Sequence, residues 1–291
     1  MVPLGLEGLR ANLADLRAVA IFNDRIRRHF SEVADLSTSA RKISATHYLD
    51  AKEAVPAHPS WTVYDHCAFV TRLYAVYESY VFELMRFWLG YITKLLPTWS
   101  DLPEPVCTNY RVGVGILLQK FGGPRTEHLT ETGIVDSLYA GLSGTRPYTL
   151  LPDAFFVDLQ NLRENELAKL CVSVGLPEVV RWLSSHPAFS AHCASSSYSV
   201  QSKLKDFVAY RNEAAHGATD VDEVLGLTEF LVLHDFVLLL CDTLAQFVLW
   251  NLCEIALVRN ACQLLGKTTE YFKTPDASIL KMNAAELAQD D

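Results

Sequence analysis

The sequence predicts an all-α protein, a helical bundle built on long antiparallel helices. Apolar residues recur at helical spacing over most of the 291-residue chain, and strand-like alternation is scarce. Glycine and proline stand where these helical patterns end. Half of the residues are hydrophobic, which is enough to bury a substantial core.

The N-terminal part of the chain is predicted to be one long helix and a connection. Leu9 and Leu13 belong to an apolar stripe that runs through residues 6–36, as is typical of an amphipathic helix. Residues 37–60 contain serine, threonine and proline and few large apolar side chains. Residues 1–60 are therefore assigned to this helix and its connection.

A second long helix is predicted over residues 61–96. It is rich in aromatic residues, too rich to be exposed on all sides, and Pro97 ends it. Pro103 and Pro105 indicate a break, after which residues 110–121 form a short helix that closes at a glycine pair.

The middle of the chain is less regular. Residues 125–157 are predicted to be irregular, with short helical pieces at most. A leucine stripe predicts a helix over residues 161–174 with Gly175 as its C-cap, and a further helix follows over residues 177–184. The polar residues 190–199 separate these helices from the last part of the chain.

Two helices are predicted after this segment, over residues 200–215 and 221–265. The tight turn between them has Gly217 as a C-cap and Thr219 or Asp220 as an N-cap. The second helix is the most hydrophobic part of the chain. Polar residues interrupt it so often that no apolar run approaches the roughly 18 residues of a membrane span, and a buried helix is the better interpretation.

The composition indicates where the protein is located and what it can bind. Seven cysteines form no CxxC pair and the first residues lack the features of a secretion signal, so we expect reduced, mostly buried thiols and a cytoplasmic location. The net charge of −9 argues against broad, non-specific binding to nucleic acid. Any contact with RNA is therefore expected to be local.

Arg211 and His216 carry the chemistry that this sequence offers. RNA supplies its own nucleophile, the 2′-hydroxyl, so its cleavage requires a base, an acid and positive charge on the phosphate. Histidine can act as base or acid near neutral pH, and arginine binds phosphate oxygens through two N–H groups at once. Asn212 adds an amide that could orient either group. The predicted site therefore consists of Arg211, His216 and Asn212, with no metal and no cofactor.

The spacing of the pair restricts how it can work. Positions 211 and 216 lie about 140° apart around an ideal helix and about 7.5 Å apart along it, so the two side chains do not share a face. Either the helix is distorted near Gly217, or two chains pair so that both sets of residues line one cleft. We favour the second and expect a homodimer.

Spacing alone is a weak signal. Arg181 and His186 have the same spacing, and Arg41 and His47 are one residue further apart. The alternative interpretation of the motif is a surface arginine paired with Asp206 or Glu213 and a histidine that caps a helix. Asn212, the small residues after it and the position between two long helices favour function.

Four further residues are candidates for a supporting role: Glu78, Arg163, Asn165 and Glu213. Glu78 could hold Arg211 from behind or lie on an exposed face. Asp235 and Asp242 share a face of the last helix, but two carboxylates alone make a poor metal site, so a structural role or a place in a dimer seam is the better interpretation.

The segment from Tyr210 to Gly217 resembles the Arg-x(4–6)-His signature of HEPN domains. The segments at residues 77–82 and 161–165 resemble what precedes that signature in a bacterial group with ribonuclease-toxin-like HEPN domains, and the resemblance covers residues 60–265. One toxin branch has a tyrosine two residues after the histidine, where this chain has Ala218.

The resemblance implies an all-α bundle, a dimer with facing motifs, and metal-independent endoribonuclease activity in toxin, antiphage or stress systems. It implicates Arg211 and His216, with Asn212 in support. The expected partners are RNA, as the substrate, and an antitoxin or sensor protein. Residues 61–266 are then the HEPN-like helical domain and residues 267–291 a polar C-terminal tail. The alternative is a non-catalytic helical module that dimerises or binds RNA without cutting it.

Overall fold

A computed structural model describes residues 4–33, 54–124, 126–195, 199–215, 224–264, 266–272 and 277–282. The described residues form ten α-helices, which confirms the all-α fold class. The helices are α1 (Leu6–Val33), α2 (His58–Leu95), α3 (Glu104–Gln119), α4 (Glu131–Ser143), α5 (Asp153–Phe156), α6 (Glu164–Ser173), α7 (Val179–Ser185), α8 (Pro187–Ser195), α9 (Val200–Ala215) and α10 (Leu227–Val258). A 3₁₀ turn, Trp99–Asp101, follows α2.

Three long helices, α1, α2 and α10, form the centre of the fold. α1 runs antiparallel to α10, because Arg10 pairs with Asp242 at one end and Arg17 pairs with Asp235 at the other. It also runs antiparallel to α2, since its late residue Asn23 donates a hydrogen bond to the early α2 residue Asp65. α2 and α10 therefore run in the same direction and share α1 as a neighbour.

The remaining helices cover this centre. α9 packs against α2, α7 packs against α10, and α3 to α6 form a flank of their own next to α2. The closest approach in that flank is between α3 and α5, where Gly113 faces the backbone of Ala154. A methyl group added at Gly113 would lie 1.8 Å from the Ala154 carbonyl oxygen, so only glycine fits there.

A buried ionic cluster joins α1 to α2. Arg27 donates to Asp24 at 2.8 Å and to Asp65 at 2.9 Å, and the three side chains are almost completely buried. Burying charge is unfavourable unless the charges are paired and hydrogen-bonded, and these are both. The cluster fixes the end of α1 beside the first turns of α2.

Several predicted boundaries differ from the observed ones. α2 begins at His58 and α3 at Glu104, each earlier than predicted. Pro59 and Pro105, which were expected to precede these helices, lie in their first turns. Proline is tolerated there since the N–H group it lacks would have no helical partner. α10 is shorter than predicted and begins after Gly226. The helix predicted over residues 200–215 is confirmed.

The prediction of an irregular segment over residues 125–157 was wrong. α4 occupies 13 of these residues. Its start is fixed by the Thr130 side chain, which accepts a hydrogen bond from the Gly133 N–H, and its end by Gly144 in the left-handed conformation. The polar segment predicted over residues 190–199 is also partly helical, because α8 continues to Ser195.

The C-terminal tail contains structure that the sequence did not predict. Strands β1 (Gly266–Phe272) and β2 (Ala277–Met282) pair antiparallel, with a register shift between Thr268 and Glu270. This two-stranded ribbon is an addition to the helical body. Residues 273–276 and 283–291 of the tail lie outside the described residues.

α10 is the one described helix that is long and apolar enough to cross a membrane by length and composition. Its most apolar stretch is 56% buried within the fold, and residues along its whole length contribute to the core. This matches the sequence interpretation of a buried helix.

The cysteines are less buried than expected. Cys107, Cys171 and Cys241 are buried, whereas Cys253 and Cys262 are exposed. Burial raises the pKa of the Cys171 thiol to about 12. Cys171 is therefore expected to stay protonated and unreactive at neutral pH.

Burial also raises the pKa of five tyrosine hydroxyls: Tyr74, Tyr77, Tyr80, Tyr110 and Tyr148. For Tyr148 the raised pKa is about 12, against an ordinary value of 10.0. A phenol of this kind stays protonated in the folded chain at a pH at which the unfolded chain has lost the proton. Its contribution to stability is thus complete below pH 10 and is lost as the pH rises towards the folded pKa.

We therefore expect the free energy of unfolding to fall steeply above pH 10. Each such phenol lowers it by up to about 1.4 kcal/mol per pH unit in that window. Urea unfolding measured at pH 8, 10 and 11 tests the slope, with tyrosinate absorbance recorded in the same samples. A free energy of unfolding that stays constant up to pH 11 would contradict the burial of these hydroxyls.

Candidate active site

The predicted motif begins in the last turn of α9, the helix that packs on α2. The Phe207 ring lies 5.7 Å from the ring of Tyr74 and 6.0 Å from that of Tyr77, and it is fully buried. One turn later the helix becomes polar at Arg211 and Asn212, which are half-buried. An aromatic anchor thus holds the two residues at the surface of α2.

His216 lies outside the described residues, as do Gly217 and the turn expected after it. α9 ends at Ala215, and the chain is described again from Val224. Arg211 and Asn212 are therefore the motif residues whose contacts are known.

Arg211 lies on the face of an aromatic ring. Its guanidinium carbon is 4.8 Å from the centroid of the Tyr74 ring, and its Nη1 donates a hydrogen bond to Asn212 Oδ1 at 3.2 Å. Within the described part of the chain, no carboxylate is at ion-pair distance from it, and neither Asp206 nor Glu213 pairs with it. A cation on an aromatic face is attracted by the ring but keeps its full charge. Arg211 thus presents a positive charge that no described acid neutralises.

Asn212 makes a second contact to a distant part of the chain. Its Oδ1 accepts a hydrogen bond at 2.9 Å from Asn161 Nδ2, in the segment between α5 and α6. Leu162, the next residue, is completely buried against α2. Three separate parts of the chain, α2, α9 and this segment, therefore meet at the start of the motif.

Tyr74 is the centre of this meeting point. Its hydroxyl donates to Glu78 Oε1 at 3.1 Å and accepts from the Leu162 N–H at 2.7 Å. Burial and the nearby Glu78 carboxylate raise the pKa of Tyr74, against smaller opposing contributions that include Arg211. The hydroxyl thus stays protonated. Glu78 could either hold Arg211 from behind or lie on an exposed face. It is half-buried, and Tyr74, to which it is hydrogen-bonded, lies between it and Arg211.

The two other candidates on the segment before α6 do not join this group. Arg163 and Asn165 are exposed, and within the described residues no hydrogen bond or ion pair links either of them to Arg211 or Asn212. Asn165 instead lines a cleft of about 830 Å³ between α3, α5 and α6, whose walls do not include the motif. Arg163 and Asn165 were candidates for a supporting role, and in the described residues it is their neighbour Asn161 that contacts the motif.

Glu213 is half-buried beside the motif. Its Oε2 atom is inaccessible to solvent and has no hydrogen-bond partner among the described residues.

His66 holds the chain on the far side of the motif. Its Nδ1 accepts a hydrogen bond at 3.0 Å from the N–H of Leu225, and its ring meets the Tyr210 ring edge-on at 6.1 Å. Tyr210 directly precedes Arg211, and Leu225 follows the undescribed segment that contains His216. Tyr210 and Leu225, on either side of the undescribed segment, are thus both held against α2.

The other candidate pairs have different surroundings. His186 contacts Gln246 of α10 at 3.1 Å, and Arg181 is exposed near Glu178, as expected for a helix end that packs on α10. Arg41 and His47 lie outside the described residues. The carboxylates of α10 that share a face are both paired with arginines of α1. Among the described residues, no group of three or more His, Cys, Asp or Glu side chains could hold a metal ion.

Sequence reasoning missed Tyr74 and Asn161. Tyr74 lies four residues before Glu78 and so shares its helix face, which is a signal that points to the pair. Asn161 was part of the segment singled out by resemblance, but nothing in the sequence distinguishes it from Asn165. Only the packing of Leu162 decides which asparagine faces α9.

Comparison with known protein families gave a match. A family model described as HEPN_MAE_28990, a MAE_28990-like HEPN, matches residues 19–254. The search of curated proteins and the search of solved structures gave no match. The matched range includes α2, the Asn161 segment, α9 and most of α10.

Proposed function

The chain belongs to the MAE_28990-like HEPN family, and on that premise we propose that it is an endoribonuclease that cuts RNA without a metal ion. Many HEPN domains are ribonucleases. The proposed site consists of Arg211, His216 and Asn212. Tyr74 and Glu78 support it from α2.

The reaction we propose is a transesterification. His216 takes the proton of the ribose 2′-hydroxyl, and the 2′-oxygen forms a bond to the adjacent phosphorus while the bond from phosphorus to the 5′-oxygen breaks. The leaving 5′-oxygen receives a proton from a second histidine. The products are a 2′,3′-cyclic phosphate and a 5′-hydroxyl. Arg211 binds the non-bridging oxygens and stabilises the charge that develops on them.

The observation that supports this proposal most is the state of Arg211. Its guanidinium is held on the ring of Tyr74, and among the described residues it has no acidic partner. An arginine held in place with its charge available is suited to a phosphate.

The second histidine is expected to come from a second copy of the chain. Two protein chains related by a two-fold axis would bring both motifs to one cleft. We therefore propose a homodimer, whose activity per chain falls on dilution below the dimer dissociation constant. A chain that sediments as a monomer with full activity would contradict it.

The experiment that tests the function uses an end-labelled oligoribonucleotide in the presence of a chelator of divalent ions. We expect cleavage products with 2′,3′-cyclic phosphate and 5′-hydroxyl ends, and no cleavage at any position where the ribose is 2′-deoxy. Because a histidine is the proposed base and acid, the rate should depend on pH near neutrality. Loss of all activity with the chelator would contradict the proposal. Binding without cleavage would favour the non-catalytic helical module.

The biological setting follows from the same premise. We propose an effector of a toxin or antiphage system that acts in the cytoplasm and has an antitoxin or sensor as a partner. Its substrate is selected locally rather than by a general positive field, since the chain has a net charge of −9. Growth arrest on expression, absent in the Arg211 and His216 variants, is the expected observation in cells.

A further inference from the structure

The orientation of the Asn212 side-chain amide is determined by its surroundings. Its Oδ1 accepts from Arg211 Nη1 at 3.2 Å and from Asn161 Nδ2 at 2.9 Å. Asparagine amides often have two orientations of similar shape, which only the hydrogen-bond network can distinguish. If the Asn212 amide were turned over, its NH₂ group would face the guanidinium, which can only donate. The two donors together thus hold this orientation, and the NH₂ group of Asn212 is bonded to neither of them.

Asn161 is held firmly enough to maintain this arrangement. Both backbone groups of the next residue are bound to α2: the Leu162 N–H donates to the Tyr74 hydroxyl, and the Leu162 carbonyl accepts from Tyr77 at 3.2 Å. The Asn161 carbonyl also accepts from the Arg163 N–H at 2.7 Å. The side chain of Asn161 is therefore presented to Asn212 from a fixed backbone.

The outward NH₂ group has no described acceptor. Within the described residues, Asn212 Nδ2 makes no hydrogen bond, and the rest of the Arg211 guanidinium has none either. The Arg211 guanidinium and the Asn212 amide are joined through Asn212 Oδ1, so both side chains have N–H donors left at the same site. Adjacent N–H donors of this kind match a group with several acceptor oxygens and negative charge.

We propose that Asn161 is a positioning residue that turns the Asn212 amide so that its NH₂ group donates to a non-bridging oxygen of the RNA phosphate bound by Arg211. This inference rests on the proposed function of the same site. It assigns a role to a residue outside the motif and specifies which atom of Asn212 contacts the substrate. Asn161 itself contacts the motif and not the RNA.

A double-mutant cycle on cleavage tests the role of Asn161. Asn161→Ala frees the Asn212 amide, and we expect kcat to fall about tenfold with little change in KM, somewhat less than the loss of one transition-state donor. In an Asn212→Ala background the same substitution should change kcat less than about twofold, since there is no amide left to orient. An equal loss in both backgrounds would show a merely structural role and overturn the inference.

Two further variants sharpen the test. Asn161→Asp replaces the donor with an acceptor that attracts both Arg211 and the Asn212 NH₂ group, so it should lower kcat more than Asn161→Ala does. Asn161→Gln keeps an amide donor and should recover part of the rate. Asn109→Ala removes an exposed amide on α3 that donates only to a backbone carbonyl, and it should behave as wild type. If Asn161→Asp were as active as wild type, the inference would fail.

A measurement without cleavage separates this inference from the proposed function. An oligoribonucleotide with 2′-O-methyl riboses cannot be cut, and its binding can be followed through the ¹⁵N–¹H signals of the Asn212 side chain. We expect these signals to shift on binding in the wild type and not in Asn161→Asp. If wild type binds and shows the shift but cuts no RNA, the proposed function fails and the inference stands. An oligonucleotide that leaves the Asn212 signals unchanged, or that does not bind, would overturn the inference.

Discussion

Arg211→Ala is expected to lower the rate of RNA cleavage about a thousandfold, the upper end of what one donor to a developing oxyanion contributes. The described contacts of Arg211 are the Tyr74 ring and Asn212 Oδ1. Losing a half-buried contact of a cation with an aromatic ring destabilises a fold by only about 1 kcal/mol. Activity should thus disappear in a protein that remains folded. The checks are kcat/KM on a defined oligoribonucleotide and the thermal unfolding midpoint of the same sample.

Matched variants make this result specific. Arg181→Ala removes an arginine with the same spacing to a histidine, and it should leave cleavage unchanged because Arg181 lies on α7. Arg211→Lys keeps the charge but loses the planar, two-pronged geometry, so an intermediate rate about tenfold or more below wild type is expected. His216→Ala should match Arg211→Ala. Cleavage at the wild-type rate by both Arg211→Ala and His216→Ala would reject the catalytic assignment.

Gly113→Ala is expected to destabilise the fold by about 3 kcal/mol or more, the upper end for overpacking. The added methyl group would lie 1.8 Å from the Ala154 carbonyl oxygen and 2.6 Å from its carbon. These are backbone atoms, so relief requires α3 and α5 to separate. Urea unfolding followed by circular dichroism gives the free energy of unfolding for comparison with wild type.

Gly115→Ala is the control for this prediction. It lies on the same helix two residues later, and a methyl group there meets nothing within 4 Å. Alanine is the better helix former, so this variant should be more stable than wild type by about 0.5–1 kcal/mol. The two substitutions are chemically identical and differ only in their surroundings. Similar effects of both would contradict the close approach of α3 and α5.

The long helices could be predicted from the sequence because their periodicity extends over many turns. α9 and its boundaries were correct, and α1 began where expected. α4 was missed since its apolar positions are interspersed with Gly133 and Gly141, residues that usually weaken a helix. Gly141 is required there by packing, because a methyl group on it would lie 2.4 Å from the Trp99 ring. Such a requirement comes from a tertiary neighbour and leaves no periodic signal.

The candidate site could be proposed from residue types and spacing, but only some of its residues could be found in that way. Arg211 and Asn212 were singled out by residue type and spacing, and the structure shows them joined by a hydrogen bond. Tyr74 and Asn161 became visible only through contacts that link distant parts of the chain. Whether His216 acts with Arg211 stays a prediction that the variants above test.

The tyrosines that bind Leu162 join parts of the chain that the ribosome synthesises at different times. Leu162 lies 88 residues after Tyr74, and Asn212 lies 51 residues after Asn161, so the surroundings of Arg211 come from parts of the nascent chain that emerge far apart in time. Tyr77 and its neighbours on α2 also pack with α10, which emerges last of the helices. The surroundings of Arg211 are therefore assembled only when translation is almost complete. The endoribonuclease activity that we propose would then be absent from incomplete chains.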